Sequence, residues 1–206
     1  MIRTKWRRPL LASRFGLWML VGTTASVGAS CFFAIYSVLM RDLYSINASI
    51  SSVAYAVAAA LSMRFYPPAG KLSHKIGPVR AIRLGYVIRV GAFLARSELG
   101  LAHSGGPHWL ALPLFAVVVA SYPPIGVGSA TLTPQLSPIA AGEGIGVFNA
   151  TTAIAAAVGA HLGGWLAKNV GFSRVPLAAM VFFGLAALLL YTLRTSGQPT
   201  LEPGRM

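Results

Sequence analysis

Few polar side chains in this chain have the chemistry to bind or transform a ligand. A histidine such as His161 can relay a proton near neutral pH. With Ser129, in the stretch GVGSA, it would supply the two side chains of a Ser–His nucleophile pair. Arg89 and Arg96 are seven residues apart, so on a helix they would lie on similar faces and could together attract an anion. Cys31 is the single cysteine, which excludes an intrachain disulfide and a cysteine-based zinc site.

The composition determines where these side chains lie. Hydrophobic residues make up 55% of the 206 residues and charged residues 10%, with a mean hydropathy of +0.67. Water-soluble domains carry roughly 25% charged residues, so this chain cannot cover a water-facing surface with polar groups. The net charge of +13 would also be compatible with a protein that binds nucleic acids. Here the charges separate apolar runs of membrane-spanning length, which favours an integral membrane protein and no nucleic-acid partner.

Six apolar segments are long enough to cross a bilayer, which takes about 20 residues. The first is longer than a signal-peptide core and no small-residue cleavage site follows it, so we expect a retained span. We predict an all-α integral membrane protein: a basic N-tail over 1–14, a six-helix transmembrane domain over 15–193 and a C-tail over 194–206. Prolines in the fourth segment predict a kink there. The predicted spans are 15–40, 48–67, 82–101, 109–130, 144–167 and 174–193.

The distribution of basic residues predicts the orientation of this bundle. Five basic residues lie in the N-tail, four in the connection between the second and third spans and two in the C-tail. An even number of spans places these three regions on one side, and only Arg41, Arg96, Lys168 and Arg174 fall at the other. Because cytoplasmic loops carry the excess of Lys and Arg, we expect both termini to be cytoplasmic, with the cell membrane as the location.

The basic connection after the second span reads GKLSHKIGPVR over residues 70–80. Its spacing resembles the cytoplasmic loop motif of the major facilitator superfamily, roughly G-x-L-x-D-[RK]-x-G-x-[RK]-[RK], which joins the second and third helices of each six-helix half. The matching positions are Gly70, Leu72, Lys75, Gly77 and Arg80. We expect the two glycines to permit tight turns or close backbone contact.

His74 is the position where this sequence departs from the family motif. The family has an acidic residue there, which joins a charge network that stabilises one conformation of the transport cycle. The resemblance therefore implies a weak or pH-dependent latch in this chain.

The fifth predicted span supports the same resemblance. Its sequence, GEGIGVFNATTAIAAAVGAHLGGWLAKNVGF, is similar to the penultimate helix of a superfamily half, with a G-x-x-x-N-A start and an L-G-G-W-L-A end. Two stripes of small residues repeat every four positions, and such stripes let helix backbones approach closely in lipid. They are Gly142, Gly146 and Ala150, and Ala155, Gly159 and Gly163.

The resemblance covers one six-helix half of a transporter that usually has two. The N-terminal half of the family usually carries an arginine in its fourth span, and none occurs in the fourth span here, so the chain is similar to a C-terminal half. The resemblance implies transport of a small solute by alternating access, after pairing with a second copy or with a separate six-helix half. Neither a cofactor nor a metal ion is implied.

The resemblance also implies which residues line the substrate path. In the family, the first and fourth helices of each half line the path, flanked by the second and fifth. The candidates on these helices are Tyr36, Tyr55, Tyr122, Asn149 and His161. Each could equally pack against a neighbouring helix or anchor at the interface, as the tryptophans near span ends, Trp18 among them, are expected to do. Arg89 would be an intramembrane charge paired with a polar group of a neighbouring helix, and Arg96 would extend to the outer interface near Glu98.

Three other functions remain open from the sequence. The chain could be a truncated or split transporter half without activity, or a membrane scaffold subunit that transports nothing. An intramembrane serine protease would need Ser129 beside His161. Antiparallel helices would place Ser129 near the cytoplasmic end of one span and His161 towards the outer end of the next. We therefore expect no enzyme activity.

Overall fold

The computed structural model describes residues 13–101 and 108–193, and these residues are almost entirely helical. The predicted tails, apart from residues 13 and 14, lie outside the described residues. Nine α-helices and one short 3-10 helix occur in the described part. We number the α-helices α1 to α9.

The first predicted span is two helices, α1 (Arg14–Phe33) and α2 (Tyr36–Tyr44). Ser13 begins α1 as an N-cap, and its hydroxyl accepts a hydrogen bond from the backbone N–H of Gly16 at 3.3 Å. Two residues separate the helices, and α2 ends at Ser45, which has a left-handed backbone. The helical stretch therefore extends beyond the predicted range of 15–40 at its C-terminal end.

The second predicted span is also divided, into α3 (Ala48–Met63) and α4 (Tyr66–Ile76), which meet at an angle of 51°. Pro67 and Pro68 lie in the first turn of α4, where a missing N–H breaks no helical hydrogen bond. The helix therefore resumes directly after the bend instead of ending in a loop.

The predicted connection at residues 70–80 is helical on both sides of a single break. Residues 70–76 form the end of α4, and α5 (Pro78–Leu101) begins immediately after Gly77. Gly77 has φ 87° and ψ 153°, a conformation that glycine alone adopts readily. Gly70 is helical, and a Cβ there would meet nothing within 4 Å, so it serves neither a turn nor a close contact among the described residues. The polar members of the motif are exposed: Lys71, His74, Lys75 and Arg80, while Leu72 is half-buried.

Replacing each of the two motif glycines by alanine should therefore change the free energy of unfolding in opposite directions. Gly77→Ala should lower the free energy of unfolding by about 1–3 kcal/mol, the cost of holding a side chain in this backbone region. Gly70→Ala should leave it unchanged or raise it by up to about 1 kcal/mol, because alanine favours a helix over glycine. Unfolding of both variants in mixed detergent micelles would measure the difference. Equal losses would contradict the conformational role of Gly77.

The helix of the fourth predicted span is interrupted at its second group of prolines. A 3-10 turn (His108–Leu110) leads into α6 (Ala111–Ala120), and α7 (Tyr122–Leu136) begins after the break at Ser121. Pro123 and Pro124 have no N–H to donate to the carbonyl groups four residues earlier, so the helix is interrupted at this point. The last two helices are α8 (Ala141–Asn169) and α9 (Arg174–Thr192).

The helices form one bundle around α1, which packs between α8 and α9. On the other side α5 packs against α9, α6 and α7, while α3 packs on α6 and α4 on α7. Stacked and edge-on rings fill the centre, with Phe93 5.8 Å from Phe183 and 4.9 Å from Phe32 between centroids. The all-α membrane fold is therefore confirmed.

The count of six spans is approximate. By length and composition four helical segments in the described residues could cross a membrane, and five if α3 and α4 form one bent span. The predicted third span, α5, is long enough at 24 residues, about 36 Å at 1.5 Å per residue. It is not among those four because its arginines and Glu98 make it too charged.

One predicted stripe of small residues is a helix contact and the other is not. Ala155, Gly159 and Gly163 are buried, and the two glycines lie against α1. A Cβ on Gly159 would lie 2.8 Å from the Cα of Val27, so the two backbones touch there. Gly142 and Gly146 have nothing within 4 Å of an added Cβ among the described residues. The face of α8 that carries them is exposed.

Candidate functional site

A cavity of about 400 Å³ lies between α1, α5, α7, α8 and α9. Small residues of α1, among them Ala25 and Ala29, leave the space for it. Tyr122, Ala130 and Asn149 line the cavity and are exposed, so they mark its open side. Its volume falls within the range of roughly 300–1,000 Å³ that is typical of small-molecule sites. Hydroxyl groups and an amide supply the uncharged polar lining: Ser26, Tyr86, Tyr122, Ser129, Thr133, Asn149 and Thr152.

Arg89 is the charged residue that lines this cavity. It lies halfway along α5, is 3% exposed, and its Nε donates a hydrogen bond to the hydroxyl of Ser121 at 2.9 Å. The break between α6 and α7 presents that hydroxyl, which itself donates to the carbonyl of Val118 at 2.6 Å. The guanidinium carbon lies 4.9 Å from the ring centroid of Phe183 and 5.5 Å from that of Tyr122. The predicted pairing of Arg89 with a polar group of a neighbouring helix is confirmed.

Two of the five predicted path residues, Tyr122 and Asn149, line the same cavity as Arg89. Tyr122 begins α7 at the proline break, and Asn149 lies on the exposed face of α8. Their phenol and amide groups can donate or accept hydrogen bonds.

Tyr36 and Tyr55 lie together in an aromatic cluster, and neither lines the cavity. The ring of Tyr36 stacks on Phe115 with centroids 4.1 Å apart, and the ring of Tyr55 is 5.5 Å from the same phenylalanine. Tyr36 is 4% exposed, and its hydroxyl is buried without a hydrogen-bond partner in the described residues. Their place on a substrate path stays a prediction.

His161 is exposed on α8 and is not among the residues that line the cavity. Ser129 does line it, so the structure places the serine and the histidine on different surfaces. His161 as a path residue also stays a prediction. No group of three or more His, Cys, Asp or Glu side chains that could hold a metal ion occurs in the part of the chain that the structure describes.

The expectation that Arg96 reaches the outer interface is wrong. Its side chain is fully buried and turns into the bundle, where Nη1 donates to the carbonyl of Ala111 and Nη2 to the sulfur of Met40. The guanidinium lies over the rings of Phe32 and Tyr44, 5.0 and 5.3 Å from their centroids. These contacts hold the side chain inside the bundle, although its Nε is buried without a hydrogen-bond partner among the described residues.

The prediction that Trp18 lies in an aromatic belt at the membrane interface is also wrong. The side chain is fully buried, its Nε1 donates to Thr133 Oγ1 at 3.0 Å, and its ring stacks on Phe148 at 5.2 Å. Thr133 and Phe148 line the cavity, so Trp18 supports its wall from behind.

Comparison with known proteins agrees with this architecture. The family model described as Major Facilitator Superfamily matches residues 18–206. A search of curated proteins finds no match for the chain. Because the family match extends over all the described helices from Trp18 onward, the chain belongs to the major facilitator superfamily.

Proposed function

We propose that this chain is one half of a secondary transporter, which moves a small solute across the membrane by alternating access after pairing with a second half. Membership of a superfamily of transporters rather than enzymes supports the transport function. The observation that carries the proposal is the cavity, because it lies in mid-bundle and has an open side. Transporters of this architecture bind substrate between two repeats near the bilayer midplane.

The surface beside the open side supports pairing. The exposed face of α8 carries Gly142, Gly146 and Asn149, and small residues of this kind let another helix approach closely. Arg64, at the bend between α3 and α4, is exposed within the predicted second span. Because a charged group facing hydrocarbon is costly, we place Arg64 towards the second half or the path rather than towards lipid. A second copy of this chain and a separate six-helix half both satisfy these requirements.

The distribution of described charges supports a cytoplasmic location for the ends of α4 and α9. Lys71, Lys75 and Arg80 lie at the junction of α4 and α5, on the same side of the bundle as the start of α1 at Arg14. The opposite side has Arg41, whose Nε contacts the carboxylate of Asp42 at 2.7 Å, and the exposed Lys168 and Arg174 between α8 and α9. By the positive-inside rule we propose that the side with Arg14 faces the cytoplasm of the cell membrane.

Reconstitution into proteoliposomes tests transport directly. Uptake of a panel of radiolabelled small anions, cations and neutral solutes, by the chain alone or together with a candidate partner half, should show at least one solute that accumulates above protein-free vesicles. Gly146→Trp should abolish this uptake, because a large side chain on the open face of α8 would separate the two halves. Val181→Trp is the matched control, since Val181 is exposed on a different helix, α9.

A scaffold subunit gives a different result in the same experiment. It would show no uptake for any solute, either alone or with a candidate partner half, although it pairs through α8. An inactive truncated half would neither pair nor transport. Uptake that survives Gly146→Trp unchanged would contradict pairing through α8.

A further inference from the structure

The charge on Arg89 has no counter-charge in the described part of the cavity. The sequence holds four acidic residues, and the three within the described ranges, Asp42, Glu98 and Glu143, are all exposed and absent from the cavity lining. Glu202 lies outside the described residues. An isolated charge in a membrane interior is costly and marks a functional position.

The hydrogen bonds of Arg89 leave most of its donors free. Nε donates to Ser121, whereas Nη1 and Nη2 donate to no described residue. Neither Nη atom is buried without a partner, so both have access to the cavity that the side chain lines. The fork of donors on a guanidinium matches a carboxylate in a bidentate arrangement.

Arg96 is a second buried arginine of α5 and provides a comparison for Arg89. It is buried like Arg89, but both of its Nη atoms donate, one to a carbonyl and one to a sulfur, and it lies outside the cavity. The contrast between the two side chains distinguishes a packed arginine from one that presents its donors to a ligand.

We propose that the cavity binds a small organic carboxylate, with its charged group on the Nη atoms of Arg89 and its apolar body against Ala25, Ile125 and Phe148. Ser129 and Asn149 are placed to bond any further polar group of the ligand. As a statement of substrate class this rests on the proposed transport function, but binding itself does not depend on transport.

The test is thermal unfolding of the purified chain in a neutral detergent, at constant ionic strength, with acetate, hexanoate and benzoate as probes. At least one of the three should raise the melting temperature in a saturable manner that the neutral analogue benzyl alcohol does not reproduce. Arg89→Gln should weaken this binding by about tenfold or more, since hydrogen bonds between charged groups are the strong ones. Arg89→Lys should be intermediate, because it keeps the charge and loses the fork.

Arg174→Gln is the matched control, since it removes one exposed positive charge at the start of α9 without touching the cavity. It should bind as tightly as the unaltered chain. If Arg89→Gln fails to fold, Ser121→Ala replaces it, and loss of the hydroxyl that orients the guanidinium should weaken binding several-fold.

Several results would overturn the proposal: no shift with any of the three carboxylates, a shift that benzyl alcohol matches, or equal weakening in Arg174→Gln. Competition by phosphatidylglycerol that depends on Arg89 would assign the site to a lipid phosphate instead. Carboxylate binding without proteoliposome uptake, either alone or with a candidate partner half, would leave the site standing and reject transport. Uptake of neutral or cationic solutes without carboxylate binding would reject the site and leave transport.

Discussion

Gly163→Val should lower the free energy of unfolding by roughly 3 kcal/mol or more, because the added side chain has no space against a backbone that cannot move aside. A Cβ at this position would overlap the carbonyl oxygen of Cys31 and lie 2.8 Å from its carbonyl carbon. The contact joins α8 to α1, the helix around which the bundle is built. Unfolding in mixed micelles, followed by circular dichroism, measures the loss.

Gly164→Val is the control for this prediction, because it makes the same chemical change one residue away in the same helix. A Cβ at Gly164 meets nothing within 4 Å, so only the intrinsic helix preference changes and stability should be maintained. Equal effects of the two substitutions would show that α8 and α1 are not held together by this close approach.

The fold was largely predictable from the lengths of apolar segments. A span of about 20 residues must satisfy its own backbone groups in lipid, so each such segment has to be helical. The breaks were less predictable, because the Tyr-Pro-Pro sequences at 66–68 and 122–124 both begin a helix directly after a break, but only the second lies well inside a predicted span. A proline pair in the first turn of a helix cannot continue the helix before it but is compatible with the helix that it begins.

The cavity was predictable only in part. Tyr122 and Asn149 were found because the resemblance assigns their helices to the path. Arg89 was recognised as an intramembrane charge. That it lines a cavity could not be predicted, because the space is left by small residues of α1 that no local sequence pattern identifies. In a helix that is apolar on all sides, such as α8, the sequence does not distinguish the face against protein from the face against lipid. The exposed position of His161 on α8 could therefore not be predicted from the sequence.

Trp18 shows the limit most clearly, since its hydrogen-bond partner lies 115 residues away along the chain. A tryptophan near a span end is usually an interfacial anchor, and only the packed bundle reveals that this ring is buried. Local sequence contains no information about that contact.

Trp18→Ala should therefore lower the free energy of unfolding by about 3 kcal/mol, the usual cost of removing a buried aromatic ring. The change removes the ring that stacks on Phe148 and the N–H that donates to Thr133. The same unfolding assay in mixed micelles measures it. Trp18→Phe should recover most of this loss, because it retains a ring against Phe148 and leaves the hydrogen bond as the main difference, worth about 1 kcal/mol.

Trp165→Ala is the matched control, because Trp165 lies on α8 with 52% of its surface exposed. Its loss should leave the unfolding free energy within about 0.5 kcal/mol of the unaltered chain. Comparable losses at both tryptophans would contradict the buried position of Trp18. Since Phe148 and Thr133 are cavity walls that Trp18 holds in place, Trp18→Ala should also weaken binding of the carboxylate probe while Arg89 remains intact. Trp165→Ala should leave that binding unchanged, because Trp165 contributes nothing to the cavity lining.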